Sequence, residues 1–458
     1  MKITNKKRIA FILIATVVIF GIIMFMPTKV SAATGEATIN VSTLSGTNTS
    51  NSSSTAESQW SYTSSDKILH LETGGGNYIL TGTNNNIAVR VSASNVKVTF
   101  DNLRITSPNA TPITAFEIGN TYTNCTINLR GVSTLIASST TSDECKYGLE
   151  TSEDQTCTIT SSTNGLLFVR TNAFHSHGKS MYLKPDSTLR IIGNARVNTM
   201  ESNIYTEDGV WLENGSTLYI APNAAFTIVG GTSLKINGGS TSVIVDGLLE
   251  IEGRWWGSAI YSTGLKKITF GGNGTIASKG FYSEAIWSNQ NIRMGDGLTF
   301  KLTNGPDADN IQTLKFEKIG TANTYRWKLT GALKSTNKMT DSVITVTLPK
   351  SSTGTITREI AVPAKTSISA ITEGVKQMKV TWKKLPAVQP VTKYEVSYRA
   401  KGESKWTTKE YAPTSSSAVI KGLKTNKTYQ VKVRSYLTVS KVKYYSPWSA
   451  VKTSKQIR

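Results

Sequence analysis

Ser233-Leu234-Lys235, Ala259-Ile260-Tyr261 and Ala285-Ile286-Trp287 are three copies of one short cassette, in which a small residue is followed by an apolar residue and then by a variable one. Five copies precede them: Ala88-Val89-Arg90, Ala115-Phe116-Glu117, Gly148-Leu149-Glu150, Ala173-Phe174-His175 and Gly209-Val210-Trp211. Successive copies begin about 25 residues apart, with insertions, which is typical of a stacked-coil architecture.

The cassette predicts a core column and a surface column. Neighbouring residues of a strand point to opposite faces, so the apolar second residue would line the core and the third would face outward. The predicted outer column contains Arg90, Glu117, Glu150, His175, Trp211, Lys235, Tyr261 and Trp287.

Each coil contains further strand-like segments separated by Gly and Asn corners, such as Val96-Lys97-Val98-Thr99-Phe100 and Phe226-Thr227-Ile228. Three short strands in each coil describe a parallel β-helix, whose coils bury their inner faces only by stacking. Residues 60–305 resemble the right-handed parallel β-helix, or pectate-lyase-like, repeats of secreted bacterial proteins. That resemblance implies an all-β fold, in a family that contains both polysaccharide-degrading enzymes and adhesins.

The rest of the chain is also strand-rich. Residues 306–363 lack the cassette and predict a small β cap or linker unit that covers the last coil. Residues 364–458 resemble a fibronectin type III domain in three places: Val380-Thr381-Trp382 as the strand with the core Trp, Tyr429 as the corner tyrosine, and Ser446-Pro447-Trp448-Ser449 before the last strand. The resemblance implies a β-sandwich that spaces or binds.

The N-terminus has the pattern of a targeting segment. Lys2, Lys6, Lys7 and Arg8 precede an apolar run over 9–26, and Val30-Ser31-Ala32 supplies small residues for cleavage. We predict a signal peptide over 1–32 and an extracellular protein, with an uncleaved membrane anchor as the alternative. The Ser/Thr-rich residues 33–59 predict a flexible spacer.

Charge is concentrated in the C-terminal module. The chain carries +21, and residues 364–458 contain 20 Lys and Arg against 4 acidic residues. Such a module should attract polyanions, for which anionic cell-wall polymers are the expected source outside a cell. Secretion argues against nucleic acid as the partner. The alternative is a basic surface that only keeps the domain soluble.

Aromatic residues dominate the second half of the predicted column. Trp211, Tyr261 and Trp287, extended by Trp255 and Trp256 on a neighbouring loop, suit stacking on the apolar faces of sugar rings. Glu117, Glu150 and His175 are further candidate ligand-binding residues on the same column. Alternatively, the aromatic side chains pack under neighbouring loops.

Two carboxylate groupings bear on an enzymatic alternative. Glu117 and Glu150 on adjacent coils have a spacing compatible with glycosidase carboxylates. Four acidic residues near the third coil are weak Ca²⁺ candidates: Asp143, Glu144, Glu153 and Asp154. We predict no cofactor. The resemblance to polysaccharide lyases, some of which use Ca²⁺ to bind the sugar carboxylate, implies Ca²⁺ as the alternative, with Lys146 or Arg170 as the candidate base. A solvated acidic loop is the preferred interpretation, and we assign no catalytic residue.

The chain contains three cysteines. Cys125-Thr126-Ile127 and Cys157-Thr158-Ile159 occupy the same place in adjacent coils, which leaves two accounts: a Cys125–Cys157 disulfide, slightly preferred, or two stacked thiols in the core. Standard zinc-ligand spacings are absent from the sequence.

The sequence thus predicts a secreted, all-β, non-enzymatic binding protein. We expect it at the surface of a Gram-positive-like bacterium. Its adhesin-like β-helix would bind a polysaccharide or a matrix glycoprotein, and its basic terminal domain would serve as a tether. The alternatives are a Ca²⁺-dependent polysaccharide lyase or glycosidase, and a structural component of the cell wall or matrix.

Overall fold

The computed structural model describes residues 35–49, 58–109, 113–139, 147–173, 179–199, 208–254, 257–262, 268–319 and 323–458. Over these residues, no helix combines the length and the apolar character that a membrane crossing requires. The predicted signal peptide lies outside the described residues.

Strands are the main regular elements. The first ten are β1 (Glu36–Asn40), β2 (Thr47–Thr49), β3 (Trp60–Thr63), β4 (Ile68–Leu71), β5 (Asn77–Asn84), β6 (Ala88–Val91), β7 (Val96–Thr106), β8 (Phe116–Ile118), β9 (Cys125–Arg130) and β10 (Val132–Ser139). The next are β11 (Tyr147–Glu150), β12 (Thr156–Ser161), β13 (Leu166–Ala173), β14 (Lys179–Leu183), β15 (Thr188–Gly193), β16 (Arg196–Thr199), β17 (Asp208–Glu213), β18 (Thr217–Ile220), β19 (Ala225–Gly230), β20 (Leu234–Asn237), β21 (Ser242–Val245) and β22 (Leu248–Gly253).

The last coils and the segment after them contain β23 (Ile260–Ser262), β24 (Thr269–Gly271), β25 (Thr275–Gly280), β26 (Ile286–Ser288), β27 (Ile292–Met294), β28 (Thr299–Thr303), β29 (Ile311–Lys318), β30 (Tyr325–Gly331), β31 (Val343–Pro349) and β32 (Thr353–Ile360). The C-terminal module contains β33 (Ile368–Gly374), β34 (Gln377–Trp382), β35 (Lys393–Ala400), β36 (Thr407–Tyr411), β37 (Ser417–Lys421), β38 (Tyr429–Val439), β39 (Val442–Tyr445) and β40 (Lys452–Thr453).

Every third strand of the coils stacks in parallel. The series β17–β20–β23–β26, β18–β21–β24–β27 and β19–β22–β25–β28 each pair coil upon coil. The predicted all-β class is therefore confirmed, with long parallel sheets consistent with a β-helix. The strand series that includes β17 and β26 carries the cassette, and we call it the cassette sheet.

The apolar position of the cassette forms a continuous core column. Leu234 pairs with Val210 on one side and Ile260 on the other, and all three side chains are fully buried. Burying each of them contributes roughly 1.5–3 kcal/mol. No isolated coil has this protection, because its inner face needs a neighbour on each side.

One copy of the cassette was assigned wrongly. Ala173 ends β13 and pairs with Ser139 in a different sheet, and Phe174 and His175 lie outside the described residues. The strand that stacks there is β14, where Met181 pairs with Leu149 and Val210. The reason is an insertion between the two coils. Ser180-Met181-Tyr182 also has the pattern of a small, an apolar and a variable residue, but the insertion places it farther from the preceding cassette than the usual period.

The corners are built by residues that tolerate positive φ. Asn95, Asn124, Asp154 and Asp186 each adopt a left-handed conformation just before a strand of successive coils, with φ between 47° and 59°. Asn and Asp reach this region more readily than other non-glycine residues. The Asn124 side-chain amide also donates to Asn95 Oδ1 at 3.2 Å, which links two coils at the corner.

The predicted flexible spacer over 33–59 is wrong for residues 36–49. β1 pairs in parallel with β5, and Ile39 and Val41 are buried against the core. A single 3-10 turn follows at Val41–Thr43. The Ser/Thr-rich composition concealed an alternating apolar pattern. Such a pattern is sufficient for a strand that buries one face and exposes the other to solvent. Residues 50–57 lie outside the described residues.

Residues after the last coil extend its sheets. β29 pairs in parallel with β27 and antiparallel with β31, while β32 pairs antiparallel with β28 and β30. The rings of Phe300, Phe316 and Trp327 pack in sequence across this junction. The antiparallel strands thereby occupy an edge that would otherwise be exposed.

The preferred Cys125–Cys157 disulfide is not formed. The two residues pair directly on adjacent parallel strands, but both thiols are free and buried. Direct pairing keeps Cβ atoms about one strand spacing (~4.8 Å) apart, whereas a disulfide favours ~3.8 Å. Burial raises the pKa of Cys157 to about 12, and burial together with Cys157 raises the pKa of Cys125. The stacked-thiol account therefore describes the structure.

The C-terminal module is a two-sheet sandwich. One sheet is β33–β34–β37, and the other contains β36, β35, β38, β39 and β40. The buried Trp382 ring packs against Tyr394 between them, with ring centroids 5.6 Å apart. The hydroxyl of Tyr429 accepts the Lys424 backbone N–H at 2.9 Å, which fastens the corner before β38.

Candidate functional site

The outer column of the cassette sheet is a single in-register row. Strand pairing connects, in order, His70, Arg90, Glu117, Glu150, Tyr182, Trp211, Lys235, Tyr261 and Trp287. Their neighbours in each strand are buried, so alternation turns these side chains outward. The row differs from the prediction in containing Tyr182, where His175 was expected, and in starting at His70.

Tyr182 takes the predicted place of His175 because its strand pairs with both Glu150 and Trp211. Tyr182 was not predicted as a column residue, although the small–apolar–variable pattern is present at 180–182. His175 itself lies outside the described residues. The register therefore gives no support to the place predicted for His175 on this column.

The carboxylates in the first half of the column form ion pairs, Glu117 with a column residue and Glu150 with a lysine beside the column. Arg90 Nη2 lies 2.8 Å from Glu117 Oε2. Lys184 Nζ lies 2.9 Å from Glu150 Oε1, and Thr114 donates to the other carboxylate oxygen at 2.9 Å. Because both carboxylates already hold cations, this half presents a neutralised surface.

Tyr182 connects the charged half to the aromatic half. Its ring stacks on Tyr147 with centroids 4.6 Å apart, and its hydroxyl donates to Glu213 Oε1 at 3.4 Å. Burial and the neighbouring carboxylates, Glu213 first and then Glu150, raise the pKa of Tyr182 to about 12. The phenol therefore remains a neutral hydrogen-bond donor at any physiological pH.

Trp211 is engaged by two lysines. Lys179 Nζ lies 3.3 Å from the centroid of an indole ring and Lys235 Nζ lies 4.3 Å from it. Lys179 is itself buried. A cation over an aromatic face is an attractive arrangement of roughly 0.5–2 kcal/mol. A sugar that stacks on Trp211 would have to displace these ammonium groups, so this position of the column is occupied from within.

The end of the column is open. Tyr261 and Trp287 stack in parallel, with ring centroids 4.7 Å apart and an interplanar angle of 21°. Trp287 is 40% exposed, although large aromatic side chains usually find cover. Among the described residues, β26 is the last strand of the cassette sheet, so no described strand covers the Trp287 ring within that sheet. We call Tyr261 and Trp287 the terminal aromatic pair.

A second aromatic feature precedes β26. Phe281 is 43% exposed at the corner after β25, and its ring meets Tyr282 edge-on with centroids 4.8 Å apart. Trp255 and Trp256, which were predicted to extend the patch, come shortly after β22 in the sequence, as Phe281 and Tyr282 come after β25, but they lie outside the described residues. Phe281 and Tyr282 were not predicted as site residues, although they form an aromatic dipeptide at the same place of the repeat.

The acidic candidates for Ca²⁺ do not converge. Glu153 and Asp154 are exposed in a turn of the third coil, while Asp143 and Glu144 lie outside the described residues. In the described part of the chain, no three His, Cys, Asp or Glu side chains lie close enough to hold a metal ion. Arg170, a base candidate, lies over the Phe168 ring at 5.2 Å, and Lys146 is not described.

Comparison with known proteins bears on the C-terminal module. The fibronectin type III domain family matches residues 362–453, so this module is a fibronectin type III domain. No curated protein matches the chain. A solved structure titled "Myokine structure" is similar at 18% identity over 21% of this chain and 99% of that chain, with a TM-score of 0.19. The fn3 domain of the human collagen alpha-1(XX) chain is similar at 19% identity over 21% and 81%, with a TM-score of 0.16.

Proposed function

We propose that the protein is a secreted, non-enzymatic glycan-binding protein of adhesin type, held at the surface of a Gram-positive-like bacterium. The β-helix carries the binding face, and the basic fibronectin type III domain tethers it to anionic wall polymers. The observation that carries the proposal is the stacked terminal aromatic pair at the end of the cassette sheet, in which the Trp287 ring is exposed.

The geometry of this pair suits a sugar ring. Parallel stacking presents the indole of Trp287 as a flat apolar surface, and Tyr261 behind it fixes the orientation of that surface. A pyranose places axial C–H groups against such a ring while its hydroxyls remain in water or meet polar partners. A rigid aromatic platform loses little conformational entropy when it binds.

The ligand on this platform would be a polysaccharide or the glycan of a matrix glycoprotein. Free buried thiols agree with an extracellular location, because a thiol with a strongly raised pKa and no solvent access does not react in an oxidising compartment.

The lyase or glycosidase alternative has less support. Glu117 and Glu150 lie side by side in register, as a carboxylate pair would require. Each of them, however, is held by a cation: Arg90 for Glu117 and Lys184 for Glu150. Neither carboxylate stands ready to exchange a proton with a substrate, so the binding role is the better account of this face.

A glycan array probed with the full chain tests the proposal. Replacing Trp287 by alanine should weaken the strongest glycan signal roughly fivefold or more, whereas Trp211→Phe should change it less than about twofold. The control residue belongs to the same column but is covered by lysines, and phenylalanine is used there because it keeps a ring beneath Lys179 and Lys235. Equal losses in both variants, or no loss in Trp287→Ala, would remove the terminal aromatic pair from consideration.

A further inference from the structure

The fibronectin type III domain carries a row of alternating rings and cations on one face. Val431 and Val433 of β38 point into the core. Since side chains alternate along a strand, Lys432 and Arg434 point to the outer face. We call the row the cation ladder. It consists of Tyr445, Arg434, Trp448, Lys432, Trp406 and Arg399, in that order, with cation-to-centroid distances of 3.7, 4.3, 4.5, 4.4 and 4.5 Å.

The charges of the ladder are not balanced. Arg434 donates from Nε to the buried Glu395 carboxylate at 2.7 Å. Arg399 donates only to neutral acceptors, the side-chain oxygen of Gln430 at 2.9 Å and the carbonyl of Ser404 at 3.3 Å. Lys432 forms no ion pair with a described carboxylate; its neighbours are the two indoles. Two positive charges are therefore held close together without counter-charges.

This crowding is unfavourable in the free protein. Burial, followed by the charges of Arg434 and Arg399, lowers the pKa of Lys432. Like charges that a fold holds together mark a site for an opposite charge, because an arriving anion relieves the repulsion. The rings hold the cations in position, so an anion meets a site that is already ordered.

The chemistry of the ladder selects among anions. A planar guanidinium pairs with two oxygens of a phosphate, and an ammonium adds a point charge beside it. Lys432 and Arg434 are two residues apart on one strand, or ~6.8 Å, so they can meet successive charges of a polymer. The indole faces are already covered by cations, which leaves no platform for the base stacking that single-stranded nucleic acid uses.

We infer that the cation ladder is a binding site for a phosphodiester polymer without aromatic bases. The inference rests on the proposed tethering role of this domain and names both its site and its ligand class. The net positive charge of the module attracts such a polymer from a distance, while the ladder makes the direct contacts.

The test measures binding of the full chain to immobilised inorganic polyphosphate at several salt concentrations. The variant is Arg399→Gln with Lys432→Gln. The matched control is Lys379→Gln with Lys421→Gln, which removes the same charge from exposed positions of the other sheet of the sandwich. We expect the ladder variant to bind roughly fivefold to tenfold more weakly with a shallower salt dependence, and the control to lose less than about twofold.

Equal losses in the two variants would overturn the inference, since net charge alone would then explain binding. Tighter binding of single-stranded DNA or of polygalacturonate than of polyphosphate would overturn the phosphate assignment. Should the double variant melt at a lower temperature, Lys432→Met keeps the packing between the indoles and must still weaken binding. Trp287→Ala should leave polyphosphate binding unchanged, so failure of the glycan proposal is recognised separately.

Discussion

Leu234→Ala is the sharpest perturbation of the solenoid core. Leu234 is fully buried between Val210 and Ile260, and strand hydrogen bonds hold the adjacent coils at a fixed spacing, so the cavity cannot close by collapse. We therefore expect a loss of about 3–5 kcal/mol, in the range for leucine truncation in rigid cores. Leu248, on the same coil, is 36% exposed, and Leu248→Ala should cost about 1 kcal/mol or less.

Hydrogen exchange followed by mass spectrometry measures both variants in the same way. A loss of 3 kcal/mol accelerates exchange through local opening by roughly 150-fold. Because each coil contacts only its neighbours, the effect of Leu234→Ala should centre on β17, β20 and β23 and leave the fibronectin type III strands unchanged. The reasoning is refuted if Leu248→Ala accelerates exchange as much, or if the acceleration is spread evenly over the chain.

Three other predictions concern titratable groups. A thiol reagent at mildly alkaline pH, with labelling measured by intact mass, should label no more than one cysteine in the native chain and all three in denaturant. The reason is that burial keeps the thiols of Cys125 and Cys157 protonated and inaccessible to the reagent. Labelling of two or more cysteines in the native chain would contradict this. Hydrogen bonds from Lys393, Lys443 and Tyr436 hold the pKa of Glu410 at about 2, below its ordinary 4.5, so this carboxylate contributes stability above pH 4.5 that is lost as pH falls towards 2. Glu410→Gln should flatten that small acid dependence of the melting temperature, and an unchanged pH profile would be contrary to expectation. The double variant Arg358→Met with Asp296→Asn should have a free energy of unfolding in urea that is higher than that of the parent or at most about 1 kcal/mol lower. The reason is that burial lowers the pKa of Arg358 and raises that of Asp296 despite their 2.9 Å contact. A larger loss of stability would show that the ion pair is needed.

Much of the coil architecture was predictable from local pattern. The cassettes at Leu234, Ile260 and Ile286 repeat at an even period, and a two-residue alternation turns one side chain inward and the next outward whatever the neighbouring coil contains. The paired places of Cys125 and Cys157 were likewise visible as a repeated Cys-Thr-Ile. These features depend on short-range periodicity, which a sequence states directly.

Where a coil contains an insertion, local pattern did not predict the strand pairing. At residues 173–183 two triplets fit the same pattern, and only strand pairing selected Met181 and Tyr182 over Phe174 and His175. The prediction of a flexible spacer was wrong at residues 36–49 for a related reason. Their polar composition conceals a strand whose few apolar residues pack against a core contributed by other coils. In both places the deciding interactions are long-range hydrogen bonds.

The sequence by itself determined that the chain is all-β, that its middle repeats as stacked coils with an outward row of side chains, and that its basic charge is gathered in a terminal fibronectin type III domain. Tertiary structure alone decided which members of that row are available: lysines from neighbouring strands cover Trp211, cations neutralise Glu117 and Glu150, and the end of the sheet leaves Trp287 open. The physical reason is that exposure and pairing depend on residues brought together by folding across many positions of the chain, whereas alternation depends only on the next residue.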